Sequence, residues 1–376
     1  MKILIVSMRS IHTIRWVSQL RDSGHEVFYF DILNGGYIKA WDWVEQHTNW
    51  RYKFGNFKGR FFLKKHFPKI HKLFENNAEK EFEIVLDKFK PDVVHSFVMY
   101  SCCVPILKNM QKHKYIKWIY SAWGNDLYFY QTVPKYKNDI VKTLPRINYM
   151  FADCNRDLNL AKALGFEGEI LGSFPGGGGY HLSDYNPYIK ALSHRNIILI
   201  KGYEQRFGKC SVVLNALSKI IKNLTDYKVV VFGTDLELKQ YLTKHTISDK
   251  IQILGYMPHK KVLELMGKSI IYIGNSVSDG IPNTLLEAII MGAFPIQSNP
   301  GGATAEIIQH QENGLLIGDA ENTDLIQELI LQAINNKKMI ENAFNHNQKL
   351  KHNLDFKMIQ KQVLQAYNQV ENELTK

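Results

Sequence analysis

Lys2-Ile3-Leu4-Ile5-Val6, a polar loop, a helical pattern with Ile14, Val17 and Leu20 on one face, a stop at Gly24, then His25-Glu26-Val27-Phe28-Tyr29-Phe30: this stretch decides the fold. Its first run is short, continuous and apolar, as in a parallel strand buried on both faces. Strand, helix and strand within about 30 residues make a βαβ unit. The pattern recurs at residues 92–97, 116–120 and 149–154, so the first half reads as a doubly wound sheet. After Phe174-Pro175 come Gly176-Gly177-Gly178-Gly179 and a polar stretch to Arg195, and then a second series begins. Residues 196–200, 227–232, 251–255, 270–273 and 294–297 supply strands, with a helix predicted over 212–224. The expectation is two similar Rossmann-like α/β domains facing a cleft, at residues 1–183 and 184–355. A closing helix over 356–376, with Ile359, Val363, Ala366 and Tyr367 at helical spacing, follows them. The Asn- and Lys-rich residues 335–353 read as a solvated helix.

Length agrees with this division. Single cores stop growing near about 250–300 residues, and the chain has 376. A hydrophobic fraction of 45% and a charged fraction of 22% argue against wholesale disorder. Lys plus Arg number 47 against 36 for Asp plus Glu, a formal charge of +11. That excess suggests an anionic partner: nucleic acid, an anionic membrane surface or a phosphate-bearing small molecule. Cys102, Cys103, Cys154 and Cys210 form no CxxC pair and read as buried thiols in a reducing compartment. No apolar run is long enough to span a bilayer, and the first one stops at Val6, too short for a signal-peptide core. A cytoplasmic location is the default expectation.

Ligands of open α/β sheets sit beyond the carboxyl ends of the strands. The loops after Val6, Phe97, Tyr120, Ile200, Phe232 and Ile273 are therefore the ones to inspect. The last leads into Ser278-Asp279-Gly280-Ile281-Pro282-Asn283-Thr284-Leu285-Leu286-Glu287. Pro282 suits the first turn of a helix, whose start, with the amides of Gly280 and Ile281, is a ready anion site. Asn283 and Glu287 are four apart and share a face; seven residues separate Asp279 from Glu287. Two carboxylates so placed could grip hydroxyls at both ends of an extended polar ligand. Equally, Asp279 could cap the helix and Glu287 be a solvated charge. Downstream, a strand runs into the Gly301-Gly302 turn, where amides can approach a ligand closely, and Asn313-Gly314 turns into a short strand.

Together these residues resemble the C-terminal signature of the retaining glycosyltransferases of family 4, also called glycosyl transferases group 1, which have the GT-B two-domain fold. That family carries Glu-x7-Glu, then a Gly-Gly turn, then an Asn-Gly turn; here they read Asp279-x7-Glu287, Gly301-Gly302 and Asn313-Gly314. The resemblance implies that Glu287 holds the nucleotide ribose and that Asp279, shortened from Glu, contacts the donor sugar at the reacting carbon. Gly280, Ile281, Pro282 and Asn283 would meet the diphosphate and sugar. It also implies diphosphate cations after the first strand of the second domain. There Glu204 stands at the usual arginine position, leaving Arg206 and Lys209 as candidates to neutralise the leaving group; an ion pair of Arg206 with Glu204 is the competing reading. Gly233 is either a close-approach position near the base or a plain turn glycine.

In the first domain Ser121-Ala122-Trp123-Gly124-Asn125-Asp126 resembles the family's His-Gly-x-Asp segment, with Trp123 in place of the histidine. Asp126 would position an acceptor hydroxyl or stabilise the anomeric carbon, or else cap the next helix; Trp123 and Asn125 would lie on the acceptor side. Ser7-Met8-Arg9-Ser10-Ile11-His12-Thr13-Ile14-Arg15-Trp16 lacks the glycine-rich dinucleotide fingerprint. It resembles a subgroup whose His12 and Arg15 equivalents open the first helix near the acceptor, and capping and packing remain the alternative. Residues 51–72 hold eight Lys/Arg (51, 53, 58, 60, 64, 65, 69, 72) and no acid, interleaved with Trp50, Tyr52, Phe54, Phe57, Phe61, Phe62 and Phe67. Such a segment suits docking on an anionic membrane, ahead of a solvated basic helix or nucleic-acid stacking; nucleic acid is not the expected partner.

The expected activity is retaining transfer of a hexosyl or N-acetylhexosaminyl group. The donor would be a nucleotide diphosphate sugar, UDP-linked, and the acceptor a lipid-linked or cell-surface polysaccharide such as lipopolysaccharide. No cofactor and no metal is expected, and location is cytoplasmic, peripheral on the membrane. A nucleotide-sugar epimerase on the same fold and a non-catalytic polyanion binder are the alternatives.

Overall fold

The computed structural model describes residues 1–53 and 59–375; Phe54, Phe57 and Lys58 of the basic segment lie outside the described residues, as does the side chain of Arg60. Two compact units emerge. Met1–Asp153, Asp157–Gly178 and Gln360–Lys376 make the first, Cys154–Arg156 and Gly179–Ile359 the second. The chain crosses at 178–179 and returns at 359–360, inside the helix Phe356–Leu374.

In the first unit seven strands, β1 (Lys2–Ser7), β2 (Glu26–Asp31), β3 (Glu45–His47), β4 (Val93–Phe97), β5 (Lys117–Ala122), β6 (Tyr149–Ala152) and β7 (Glu169–Ser173), lie parallel in the order β3-β2-β1-β4-β5-β6-β7. The apolar runs read from the sequence become its centre, with β1 and β4 buried along almost their whole length. Between β1 and β2 the helix Ile11–Ser18 is capped by Ser10, whose Oγ accepts from Thr13 N–H. It ends well before Gly24, which supplies a positive φ in the turn into β2. Residues 360–374 cover this sheet through Val363, Tyr367 and Val370. The Tyr367 hydroxyl accepts from Trp16 Nε1 at 3.3 Å and pairs with His95 Nδ1 at 2.6 Å, while His95 Nε2 meets Ser121 Oγ at 2.8 Å. Full burial pushes the His95 pKa down to about 3, so the ring is neutral.

In the second unit β8 (Ile197–Lys201), β9 (Lys228–Phe232), β10 (Ile251–Ile253), β11 (Ser269–Gly274), β12 (Phe294–Ser298) and β13 (Leu315–Ile317) are parallel in the order β10-β9-β8-β11-β12-β13. The helix expected over 212–224 runs Cys210–Ile220, followed by a 3-10 turn. Its earlier start is explained by Glu204, whose carboxylate accepts from Ser211 N and Ser211 Oγ. The Asn- and Lys-rich stretch is the helix Lys337–Leu350, and it is only half solvated. Met339, Ile340 and Ala343 are buried at helical spacing, and Asn347 pairs with Asn313 in the interior. The abundance of Asn and Lys hid an apolar stripe narrow enough to rest on a few residues.

Candidate functional site

In the second sheet the strand order reverses between β8 and β11, so the loops after these strands leave side by side. Backbone bonds zip them together: Lys209 N donates to Asn275 O at 3.1 Å and Val277 N to Phe207 O at 2.8 Å. Gly202, just past β8, has to be glycine, because a Cβ there would meet Phe232 O at 2.8 Å. Asp235 accepts from Glu204 N at 2.6 Å and Gln205 N at 3.0 Å while capping its own helix through Leu238 N, which holds the loop in place.

This frame presents half-buried Asp279. Burial raises its pKa, opposed by the charges of Lys201 and Arg156 and by the Gly280 N–H bond at 2.9 Å. Lys201 Nζ also lies 5.1 Å from the Tyr203 ring centroid, and the Asp279 charge raises the Tyr203 pKa after burial has done so. The two cations expected from sequence are placed differently. Lys209 Nζ pairs with Glu321 at 2.5 Å, and the exposed Arg206 carries its guanidinium 5.3 Å from the Phe207 ring. Glu204, the suspected partner of Arg206, accepts from Ser211 N at 2.7 Å and Ser211 Oγ at 2.6 Å. The cations that act on Asp279 are thus Lys201, the polar end of an otherwise apolar strand, and Arg156, which bonds Asp279 O and Pro300 O at 2.7 Å each. Lys201 was legible as a charge at the carboxyl end of a buried strand. Arg156, far off in sequence, carried no such signal.

The helix after this loop is Asn283–Met291, and Pro282 sits one residue ahead of it, extended at ψ 129°, where its carbonyl accepts from Leu285 N and Leu286 N. Its position is therefore the cap rather than the first turn. Gly280 N–H is turned onto Asp279 Oδ1 and does not point out of the helix start, whereas Ile281 remains half-buried beside it. Asn283 Oδ1 accepts from Tyr180 OH at 2.7 Å. One turn on, Glu287 is no solvated charge: its side chain is 5% exposed. Oε1 meets His259 Nε2 at 2.7 Å and Tyr185 OH at 3.4 Å, and Oε2 makes no hydrogen bond among the described residues. Gly233 (φ +65°), Gly301 (φ +62°) and Gly302 (φ +88°) are exposed turns at the ends of β9 and β12, left-handed conformations that favour glycine.

In the first unit His12 lies edge-on to Trp123 with ring centroids 6.1 Å apart, and Trp123 packs 4.6 Å from Phe97. Arg15 is half-buried on the His12 helix, and Asn125 Oδ1 is buried without a partner among the described residues. Asp126 is different from its expected role. It is buried, accepts from Met99 N at 2.7 and 2.9 Å and from the Tyr120 hydroxyl, and burial pushes its pKa up to about 7. It braces a corner where Val98, a β-branched residue, adopts φ +68° before the π-helical turn Met99–Cys103. Within the first unit Asp126 thus braces the corner after β4.

Comparison with known proteins fits this geometry. The family described as Glycosyl transferases group 1 matches residues 193–350, and the one described as Glycosyl transferase 4-like matches residues 2–154. Together they span most of the chain, which belongs to the group 1 glycosyltransferases of the GT-B fold. Among individual proteins, the GalNAc-alpha-(1->4)-GalNAc-alpha-(1->3)-diNAcBac-PP-undecaprenol alpha-1,4-N-acetyl-D-galactosaminyltransferase of Campylobacter jejuni is 27% identical over 169 residues. That stretch is 43% of this chain and 46% of the relative, so less than half the relative's length is matched. Sucrose-phosphate synthase from Thermosynechococcus elongatus superposes with a TM-score of 0.74 at 13% identity over 99% of both chains. HepE of Anabaena in complex with UDP does so with a TM-score of 0.71 at 13% identity, over 98% of this chain and all of that one. At such identities the two structures speak for the fold alone.

Proposed function

We propose that the protein is a retaining glycosyltransferase that moves a hexosyl or N-acetylhexosaminyl group from a UDP-sugar to a lipid-linked or cell-surface polysaccharide acceptor, working peripherally at a membrane. The observation that carries this reading is Glu287, a buried carboxylate one turn into the helix Asn283–Met291, with one oxygen held by His259 and Tyr185 and the other making no hydrogen bond among the described residues. A ribose hydroxyl is a fitting donor for that second oxygen. Asp279 and Lys201 at the start of the same segment suit the sugar and the diphosphate. The UDP complex of HepE and the undecaprenol-linked substrate in the Campylobacter relative's name support the donor and acceptor classes.

On this reading the bond from the anomeric carbon to the UDP phosphate oxygen breaks as a bond to the acceptor oxygen forms on the same face. The acceptor proton passes to the departing phosphate, and UDP leaves. Lys201 and the positive end of the helix dipole offset the charge that grows on the diphosphate, so no metal is required. Asp279, whose pKa burial raises while the charges of Lys201 and Arg156 oppose the rise, faces the positive charge that develops at the anomeric carbon.

Glu287→Ala tests the assignment: donor turnover, read as UDP release across a panel of nucleotide sugars, is expected to disappear while circular dichroism stays native. Wild-type turnover in that variant would overturn the reading. Release of an altered UDP-sugar without any acceptor would instead make the protein an epimerase.

A further inference from the structure

Residues 51–76 leave the unit after its edge strand β3 and come back through a closed neck. Tyr52 and Glu75 form an antiparallel bridge, Lys53 N donates to Phe74 O at 3.1 Å and Asn76 N to Arg51 O at 2.8 Å. Arg51 Nε pairs with Glu75 at 3.2 Å, and buried His71 lies 3.6 Å from the same carboxylate with its ring edge-on to Tyr52. The neck is thus well tied. Several of the described apolar side chains it carries are exposed. Two short helices, Arg60–His66 and Pro68–Leu73, hold Phe61 at 79%, Phe62 at 62% and Leu73 at 70% exposed, with Phe67 and Ile70 near half.

Single exposed apolar residues need no explanation, but five large ones, four on two adjoining short helices and Phe67 between them, form a patch, and patches mark interaction surfaces. The side chains between them are exposed Lys64, Lys65, Lys69 and Lys72, and no Asp or Glu occurs from Arg51 to Phe74. Charge therefore selects an anionic partner, while the branched aliphatic Ile70 and Leu73 offer a nucleic-acid base no stacking face. An interface of phosphates above acyl chains satisfies both: rings and aliphatic groups enter the acyl boundary as the lysine ammoniums stay at the phosphates.

We propose that this tied excursion docks the first unit on an anionic lipid bilayer, with Phe61, Phe62 and Leu73 inserted and Lys64, Lys65, Lys69 and Lys72 on the headgroup phosphates. The inference gives a lipid-linked acceptor its place but stands on residues outside the donor site, so either can fail without the other.

The test is sedimentation of the full chain with phosphatidylcholine vesicles and with the same vesicles carrying phosphatidylglycerol. Binding is expected to the anionic vesicles and to be at least about tenfold weaker to the neutral ones. Combined Phe61→Ser, Phe62→Ser and Leu73→Ser should lower the partition coefficient about a hundredfold, and Gln at the four lysines should remove the dependence on phosphatidylglycerol. UDP-sugar hydrolysis in solution should be unchanged in both, which also reports an intact fold. Equal binding to both vesicles, binding to neither, or undiminished binding by the triple serine variant would overturn the proposal. So would tight, salt-dependent RNA binding that the serine variant retains.

Discussion

At Glu287 the fold keeps a carboxylate nearly out of water and ties one of its oxygens with a histidine that is itself 48% exposed. A buried carboxylate with a single firm partner is costly unless its remaining oxygen finds a donor. On the proposed function that donor is the ribose, and His259 acts through Glu287 as a positioning residue. His259→Ala should then raise KM for the UDP-sugar about tenfold, the worth of roughly one hydrogen bond to a charged group, with kcat at saturating donor little changed. His259→Gln, which can still present an N–H, should recover much of the loss. A fall in kcat with KM constant would show that His259 does something else. The shared face of Asn283 and Glu287 was readable along the chain because a helix turns i and i+4 to one side. The bond from His259 was not, since it joins residues 28 apart, His259 being the first residue of another helix, His259–Met266. The same holds for Arg156 on Asp279 O: local pattern reveals groups that share an element, and long-range polar contacts are settled only by packing.

Among elements, the corner after β4 shows what the Trp123–Asp126 motif does inside its own unit. The segment Trp123–Asp126 does follow a strand, yet Asp126 points inward to hold Met99 N and Tyr120 OH behind the strained Val98. Asp126→Ala should cost about 1–3 kcal/mol for each of the two orphaned donors, whereas Asp126→Asn, which can still accept from Met99 N, should cost less. Urea unfolding measures both. The pH dependence has a definite sign. The Asp126 pKa is raised in the fold to about 7 from an ordinary 3.8, so its favourable contribution is whole below about 3.8. It is lost as pH rises towards 7, where the folded state at last releases the proton. The stability gap between wild type and Asp126→Asn should therefore drift against wild type between those limits and level off above them. A gap independent of pH would mean that the carboxyl is ionised throughout. Strands were the elements most legible in sequence, because burial on both faces leaves a short continuous apolar run bounded by turn residues. Short edge strands such as β3 (Glu45-Gln46-His47), with one polar residue after another, carry no such mark.

Over the whole molecule, a length beyond one core suggested two, and Leu4, Phe30, Trp118 and Met150 do share one cluster while Ile200, Leu217, Phe294 and Ile330 share another. The closing helix was visible as an apolar stripe, but the pairing of its Tyr367 hydroxyl with His95 and Trp16 was not. Separate cores make a separable prediction. Equilibrium unfolding should show two transitions, since each unit carries its own sheet and its own buried side chains. UDP, bound by the second unit on the proposed function, should stabilise one transition alone, by about 2.7 kcal/mol at a hundredfold excess over its Kd. Tyr367→Phe removes the hydroxyl that pairs with His95 Nδ1 and Trp16 Nε1 inside the first unit. It should weaken the other transition alone, by about 1–3 kcal/mol for each buried group left unpaired. Intrinsic fluorescence and near-ultraviolet circular dichroism, followed through urea with and without UDP, distinguish the outcomes. Two midpoints, one moved by UDP and the other by Tyr367→Phe, would assign the nucleotide to the unit that holds Glu287. A single transition moved by both would mean that the units unfold as one, and a UDP shift confined to the transition that Tyr367→Phe weakens would put the nucleotide on the wrong unit and bring down the donor-site reading with it.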